Sequence, residues 1–279
     1  MIIDWKNIAL NIYDSIKGHV SILENKPTLW AILVWNNSAS LRYIAQKQKW
    51  ANYTWINFVL KELDENISEA DLLKEVNEFN KDKNISWYII QLPLPKHINE
   101  DLIIDSIDPK KDVDGFHPIN QWKILIWDNT WLVPCTPAWI MNIFESEYID
   151  LVWKVVCVIG RSNIVWKPIT ALLINAWATV ISCNSKTENI EEFTKKADIV
   201  IVAAWKPWLL KENMLKQWSI IIDVWFTIIN NKIHWDAETK EIDKSWHKIT
   251  PVPGWVWALT VAMLMNNTLK SYKNQITNS

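Results

Sequence analysis

Short apolar runs recur along the chain at residues 29–34, 56–60, 87–92, 155–159, 179–183, 199–203 and 219–224, each about the length of a strand. The segments between them carry a different period: 38–52 has helical spacing, 68–81 is amphipathic, and helices are expected after Val165 and after Thr187. Alternation of this kind requires helices packed on a mainly parallel sheet, because two parallel neighbours need a crossover connection and a helix is the compact way to supply it. The expected class is therefore α/β. Residues 93–134 read as irregular, and a helix over 136–147, capped by Thr136 with Pro137 at its first position, reads as a connector. The series that starts at 155 is Rossmann-like. The final apolar segment, 256–270, has no strand after it and is expected to pack back on the first domain. The reading divides the chain into residues 1–138 with the C-terminal helix 256–279, and residues 139–255.

Composition matters at the turns of this series. Residues 157–170, CVIGRSNIVWKPIT, read as a phosphate-binding turn between a buried strand and a helix, yet Trp166 stands where such a turn needs glycine. The chain has 21 Trp and only 4 Gly in 279 residues, whereas soluble proteins carry roughly 7% Gly. Taken together, the two types reach an ordinary glycine content. Trp also falls in turn contexts: Asp4-Trp5-Lys6, Lys206-Pro207-Trp208 and Pro253-Gly254-Trp255-Val256-Trp257. At such places a positive φ or a close backbone approach makes glycine the default. One recoded codon, UGA read as glycine in the source and rendered here as Trp, explains all of them. A truly Trp-rich chain would cluster its aromatics in the core instead of at turns.

Several function classes drop out. The net charge of −2 with scattered Lys and Glu gives no basic stripe for nucleic acid. Cys135, Cys157 and Cys183 form no CxxC pair, and the last two lie in apolar runs, so they read as reduced packing residues. The five histidines lack ligand spacing, and no metal site is expected. The stretch MIIDWKNIAL has charges among its apolar residues and no signal-peptide core, and no apolar run reaches the ~18 residues of a membrane span. The expected location is the cytoplasm.

The residues that carry chemistry are few. Tyr43 and Lys47 stand four apart and share a helix face, which by spacing alone reads as a surface pair. Gln91 ends an apolar strand just before Pro93 and Pro95, so its amide projects at the carboxyl end of the sheet. Asp112 and Asp114 flank a valine in a turn; their side chains diverge, and one of them is a turn or cap residue. The turn Gly160-Arg161-Ser162 departs from GxGxxG but follows a strand and opens a helix, the context that phosphate binding requires. Arg161 and Ser185 are placed to hold an extra ribose phosphate. No acid ends the second strand, which continues Cys183-Asn184-Ser185-Lys186; an acid there would favour NAD, so NADP is the expected cofactor. The segment from Pro251 to Gly254 combines rigid φ values with a free backbone and suits a binding cleft.

Read with glycine at the suspect positions, five segments, Ser40–Lys47, Gln91–Pro95, Asp112–Phe116, Gly160–Pro168 and Pro251–Thr260, resemble the signatures of the bifunctional methylenetetrahydrofolate dehydrogenase/cyclohydrolase family. The resemblance runs in order over almost the whole chain. The family carries glycine at 35, 139, 166, 225, 255 and 257, where this chain has Trp. Departures are Ala258 in place of Pro, Phe226 in place of Ile and Asn184 in place of His. The resemblance implies a folate-binding catalytic domain and an NADP domain, with Lys47 as the catalytic lysine, Tyr43 packing on folate and Gln91 orienting Lys47. It also implies that Asp114 accepts two parallel donors from the pterin, that Pro253 and Gly254 line the folate site, and that Gly160, Arg161, Ser162, Ser185 and Phe226 hold NADP. Thr260 is secondary. Tetrahydrofolate derivatives are the implied substrates, a homodimer the implied assembly and purine synthesis the implied pathway. A catalytically silent dinucleotide- or folate-binding module is the alternative if the Trp residues are real. A shikimate-dehydrogenase-like oxidoreductase would leave the Tyr43, Lys47, Gln91 and Asp114 set without an explanation.

Overall fold

The computed structural model describes residues 2–35, 38–128, 130, 132–229, 232–250 and 256–277. It divides into two compact units, one of Ala9–Cys135 with Thr260–Ser279 and one of Met1–Ile8 with Thr136–Leu259.

In the first of these units the order is α1 (Trp5–Ser21, which begins in the other unit), β1 (Thr28–Leu33), α2 (Ser38–Tyr53), β2 (Asn57–Glu62), α3 (Glu69–Lys81) and β3 (Trp87–Ile90). The strands form a parallel sheet in the order β2-β1-β3. Ala31, Ile32 and Leu33 of the central strand are buried, as are all four residues of β3. α3 follows from its sequence. Ser68 caps it by accepting from the Asp71 N–H at 3.1 Å, Glu69 and Asp71 sit in the first turn and Lys81 in the last. Leu72, Val76 and Phe79, spaced by four and three, bury one stripe against Ile32, Tyr88 and Ile90.

The stretch 93–134 is not irregular throughout. It contains α4 (Glu100–Ser106), capped by Asn99, and α5 (Pro118–Leu125), capped by His117, whose Nδ1 accepts from the Ile119 N–H at 3.1 Å. Both carry legible start signals, Asn99 before two acids and Pro118 at the first position, but each is too short for its period to stand out. α1 was likewise not expected. Its buried Ala9, Tyr13, Ile16 and Val20 have helical spacing, and Trp5 begins the helix, so Asp4-Trp5-Lys6 is no turn requiring positive φ.

The other unit continues with α6 (Cys135–Ser146), β4 (Val155–Ile159), α7 (Trp166–Asn175), β5 (Thr179–Cys183), α8 (Ile190–Thr194), β6 (Ile199–Val202) and β7 (Ile220–Asp223). Then come β8 (Phe226–Ile229), β9 (Lys232–Trp235), α9 (Thr239–Lys244), β10 (Lys248–Ile249) and α10 (Val256–Thr277). α6 begins at Cys135, which places Thr136 inside its first turn instead of at the cap. Five parallel strands run β10-β7-β6-β4-β5, with β4 and β6 wholly or nearly buried. The chain leaves β4 for β5 on one side and returns to β6 on the other, which makes the carboxyl end of β4 a topological switch point. The antiparallel β8–β9 pair was not expected. α10 runs past the apolar segment 256–270 and lies within the expected C-terminal helix 256–279, and from Thr260 onward it belongs to the unit that holds α2. No described helix is long and apolar enough to cross a membrane.

Nine described residues other than glycine have positive φ, and seven of them are Trp: Trp55, Trp127, Trp153, Trp177, Trp205, Trp208 and Trp218, all between 56° and 66°. A side chain with a Cβ costs roughly 1–2 kcal/mol in this left-handed region. Trp208 belongs to one of the turn contexts singled out by sequence. Pro253, Gly254 and Trp255 lie outside the described residues.

Candidate active site and cofactor turn

α2 carries Tyr43 and Lys47 one turn apart, and Gln91, the residue after β3, meets Lys47. The Lys47 ammonium donates to Gln91 Oε1 at 3.0 Å. Gln91 is fixed at both ends. Its backbone N–H extends the sheet by donating to the Ile32 carbonyl at 2.9 Å, and its side-chain Nε2 donates to the Leu92 carbonyl at 2.5 Å. With Nε2 committed as donor, only Oε1 remains to accept from the lysine, so the amide orientation is determined. The Leu92–Pro93 peptide is cis.

The two aspartates separate into distinct roles. Asp112 is buried and serves as the turn residue: its carboxylate accepts from the N–H groups of Gly115 at 3.0 Å and His117 at 2.8 Å and from Asn120 Nδ2 at 3.0 Å. Asp114 instead lies beside Lys47 and Cys135. Burial pushes its pKa up to about 6, opposed by the nearby Lys47 charge and reinforced by Asp112. Burial likewise pulls the Lys47 ammonium below the ordinary lysine range, and the charges of Asp114 and Cys135 oppose it. Half-buried Tyr43 has its phenol raised by burial, with Arg42 acting the other way.

Cys135 is the member that sequence reasoning missed. Its thiol donates to Asp114 Oδ1 at 3.8 Å and lies within electrostatic reach of Lys47. Burial raises its pKa well above the usual thiol value, so it is a neutral donor here and not a nucleophile. The available signal was position: Cys135 sits between Pro134 and Thr136 at the start of a helix, outside any apolar strand. Cys157 and Cys183 lie on adjacent strands, buried and unbridged, with sulfurs 3.8 Å apart.

Gly115 is irreplaceable on two counts. Its φ is 73°, and a Cβ there would come within 2.8 Å of the Leu132 carbonyl oxygen and of the Pro134 nitrogen. The segment bearing Asp114 and the one bearing Cys135 therefore touch backbone to backbone.

In the other unit, Gly160 follows β4 with φ 149° and donates its N–H to the Cys183 carbonyl at 2.9 Å. Arg161, Ser162 and Ser185 are exposed at the carboxyl ends of the neighbouring strands β4 and β5. The Ser162 carbonyl accepts from the N–H groups of Trp166 and Lys167 as the chain winds into α7. Phe226 opens β8 just after β7. The obstacle is Trp166, which is buried, with its Nε1 2.0 Å from where a Cβ on Gly160 would lie. The indole covers the glycine face that a phosphate would have to approach. A dinucleotide does not fit this turn with Trp at 166; with glycine there, the turn is bare backbone leading into the N-terminus of a helix of 10 residues. Trp139, another position where glycine is expected, is fully buried, and its indole N–H has no hydrogen-bond partner among the described residues.

Comparison with known proteins bears on both halves. Residues 3–114 match the family model described as tetrahydrofolate dehydrogenase/cyclohydrolase, catalytic domain, and residues 134–276 match the NAD(P)-binding domain of the same family. The bifunctional protein FolD of Nautilia profundicola is 43% identical over 277 residues, covering 98% of this chain and 97% of that one. The crystal structure of the bifunctional enzyme FolD from Campylobacter jejuni, a methylenetetrahydrofolate dehydrogenase/cyclohydrolase, superposes with a TM-score of 0.95 at 38% identity over 99% of both chains. The FolD of Trypanosoma brucei, complexed with NADP cofactor and inhibitor, gives 0.92 at 29% identity, covering 99% of this chain and 98% of that one. The chain belongs to the tetrahydrofolate dehydrogenase/cyclohydrolase family.

Proposed function

We propose that the protein oxidises 5,10-methylenetetrahydrofolate to the 5,10-methenyl form with NADP and hydrolyses that product to 10-formyltetrahydrofolate. The observation that carries the reading is the Lys47–Gln91 hydrogen bond of 3.0 Å beside Asp114, in a chain of this family. Hydrolysis needs water to attack a cationic carbon and needs protons to be moved. A lysine whose pKa is lowered by burial is neutral more often than a surface lysine, so it takes a proton from the attacking water. The tetrahedral adduct then opens: the bond from carbon to N5 breaks, N5 gains a proton, the hydroxyl loses one to become the formyl oxygen, and one proton is released overall. Gln91 holds the Lys47 nitrogen in place, Tyr43 packs on the folate, and Asp114 in its ionised form accepts the pterin amino and ring N–H groups.

NADP supplies the hydride acceptor when bound. Gly160, Arg161, Ser162, Ser185 and Phe226 are assigned to hold it, and Pro253 and Gly254 to line the folate site. This assignment requires glycine at 166. We therefore read the Trp residues at glycine-demanding positions as glycine in the native protein, one recoded codon being the economical cause. The concentration of Trp at positive φ supports this reading, as do the covered turn at Gly160 and the orphaned Trp139 N–H. On the same reading the N-terminal αβ domain with the returning helix binds folate and the Rossmann-like domain binds NADP. The enzyme is a cytoplasmic homodimer that supplies one-carbon units for purine synthesis.

The first test is the mass of the protein purified from its source, with fragment spectra across 158–167 and 251–260. Tryptophan at 166 and 255 would sink the catalytic assignment. The second is Lys47→Ala in the glycine-bearing protein: hydrolysis should fall by about 100-fold or more, while NADP binding persists. Undiminished turnover would refute the role of Lys47, and a wild-type chain that bound both ligands without turnover would be the silent module.

A further inference from the structure

Asn267 lies on α10, 154 residues along the chain from Val113 and 132 from Cys135, and is 5% exposed. Its amide nitrogen donates to the Val113 carbonyl at 3.0 Å and to the Val133 carbonyl at 2.9 Å, and sits 3.9 Å from Cys135 Sγ. A primary amide has two N–H bonds, and both are used on carbonyls, so this end of the side chain is saturated and its orientation is forced. Val113 immediately precedes Asp114, and Val133 stands two residues before Cys135. One side chain therefore bridges the two segments that present the carboxylate and the thiol to Lys47. The same two segments are in backbone contact at Gly115, and the Asp112 carboxylate closes the 112–117 turn. Each fixes one piece; Asn267 alone among these ties both segments to the C-terminal helix. No other side-chain type of this size does the same work: Asp would turn acceptor lone pairs on two carbonyls, and Leu would leave both buried without a donor.

We propose that Asn267 is a positioning residue for the folate chemistry, setting the placement of Asp114 and Cys135 relative to Lys47. The inference rests on the reading that Lys47 carries hydrolysis. Loss of the clamp lets the 112–117 turn and the 132–135 segment drift apart, and sub-ångström looseness at such a centre lowers rate more than it weakens binding elsewhere. The lysine then feels less of the Asp114 charge.

The experiment uses the full-length, glycine-bearing enzyme and compares Asn267→Leu, Asn267→Ser, which retains one donor, and the neighbouring Thr268→Val. Thr268 is buried, and its hydroxyl donates to the Leu264 carbonyl of its own helix at 2.9 Å. Cyclohydrolase kcat and KM are measured across pH, with NADP affinity as the check that the chain is folded. The expected result is a fall of about tenfold in hydrolysis kcat for Asn267→Leu, a smaller fall for Asn267→Ser, and a displaced pH profile in both, with NADP affinity unchanged. Thr268→Val should keep the wild-type profile. A wild-type pH profile in folded Asn267→Leu overturns the inference, as does unfolding of both Asn267 variants while Thr268→Val stays native, since Asn267 would then determine the fold only. Lys47→Ala in the same assay separates the two failures: retained hydrolysis there removes the underlying reading, whereas lost hydrolysis there with an unaltered Asn267→Leu profile removes only this one.

Discussion

Trp153 gives the cleanest measure of what the Trp residues do to the fold. Its φ is 65°, its side chain is 90% exposed, and its backbone N–H is held by the Trp177 carbonyl at 3.4 Å. The indole therefore contributes little burial while the backbone is kept in a conformation that costs an L-residue roughly 1–2 kcal/mol. Trp153→Gly and Trp153→Ala both remove the indole, but only glycine removes the strain, so the glycine variant should be the more stable by about 1 kcal/mol. Extended to the seven positive-φ Trp positions, the relief is on the order of 7 kcal/mol, comparable with the ~5–15 kcal/mol by which a folded protein is stable at all. Trp153 and Trp177 are joined by a backbone bond and should be treated as a coupled pair. The assay is equilibrium urea unfolding followed by far-ultraviolet circular dichroism, which does not depend on the fluorophores being removed. If Trp153→Ala matched or exceeded Trp153→Gly, the strain argument, and with it the structural support for native glycine, would be wrong.

Replacing Trp166 by glycine should convert the 160–167 turn from one with no measurable NADP binding by calorimetry to one that binds it, and Trp166→Leu, which still fills the space over Gly160, should not. Gly115→Ala should destabilise the chain by about 2 kcal/mol or more in urea unfolding, because positive φ and two backbone contacts oppose a Cβ together. Asp114 sets a pH signature. The folded state holds its proton up to about pH 6, whereas an unfolded aspartate releases it near 4, so the folded state binds more protons in that window and stability declines as pH rises through it. Asp114→Asn should flatten that decline, and in the wild type the KM for folate should rise as pH drops below about 6, because the neutral carboxyl no longer accepts two donors. A KM indifferent to pH over that range would remove Asp114 from substrate binding.

The sequence by itself determined the α/β class, the two series of strands, the shared helix face of Tyr43 and Lys47, the strand end at Gln91 and the turn at Gly160, because each of these rests on short-range information; the site roles came from the family resemblance. Strand-length apolar runs, a four-residue spacing on a helix and a strand-end amide are all properties of a few neighbouring residues. Short helices such as α4 and α5 carried caps but too few turns for a period, and α1 was obscured by a Trp read as part of a turn. Local pattern left Asp112 and Asp114 open, since both flank one valine, and the choice of Asp114 came from the family resemblance; the tertiary structure adds the ring of donors from Gly115, His117 and Asn120 that spends Asp112 on the turn. Tertiary structure alone decided that Cys135 and Asn267 belong beside Asp114, since they are brought there by segments separated along the chain by more than a hundred residues in the case of Asn267. Contacts of that reach follow from packing, which no local pattern encodes.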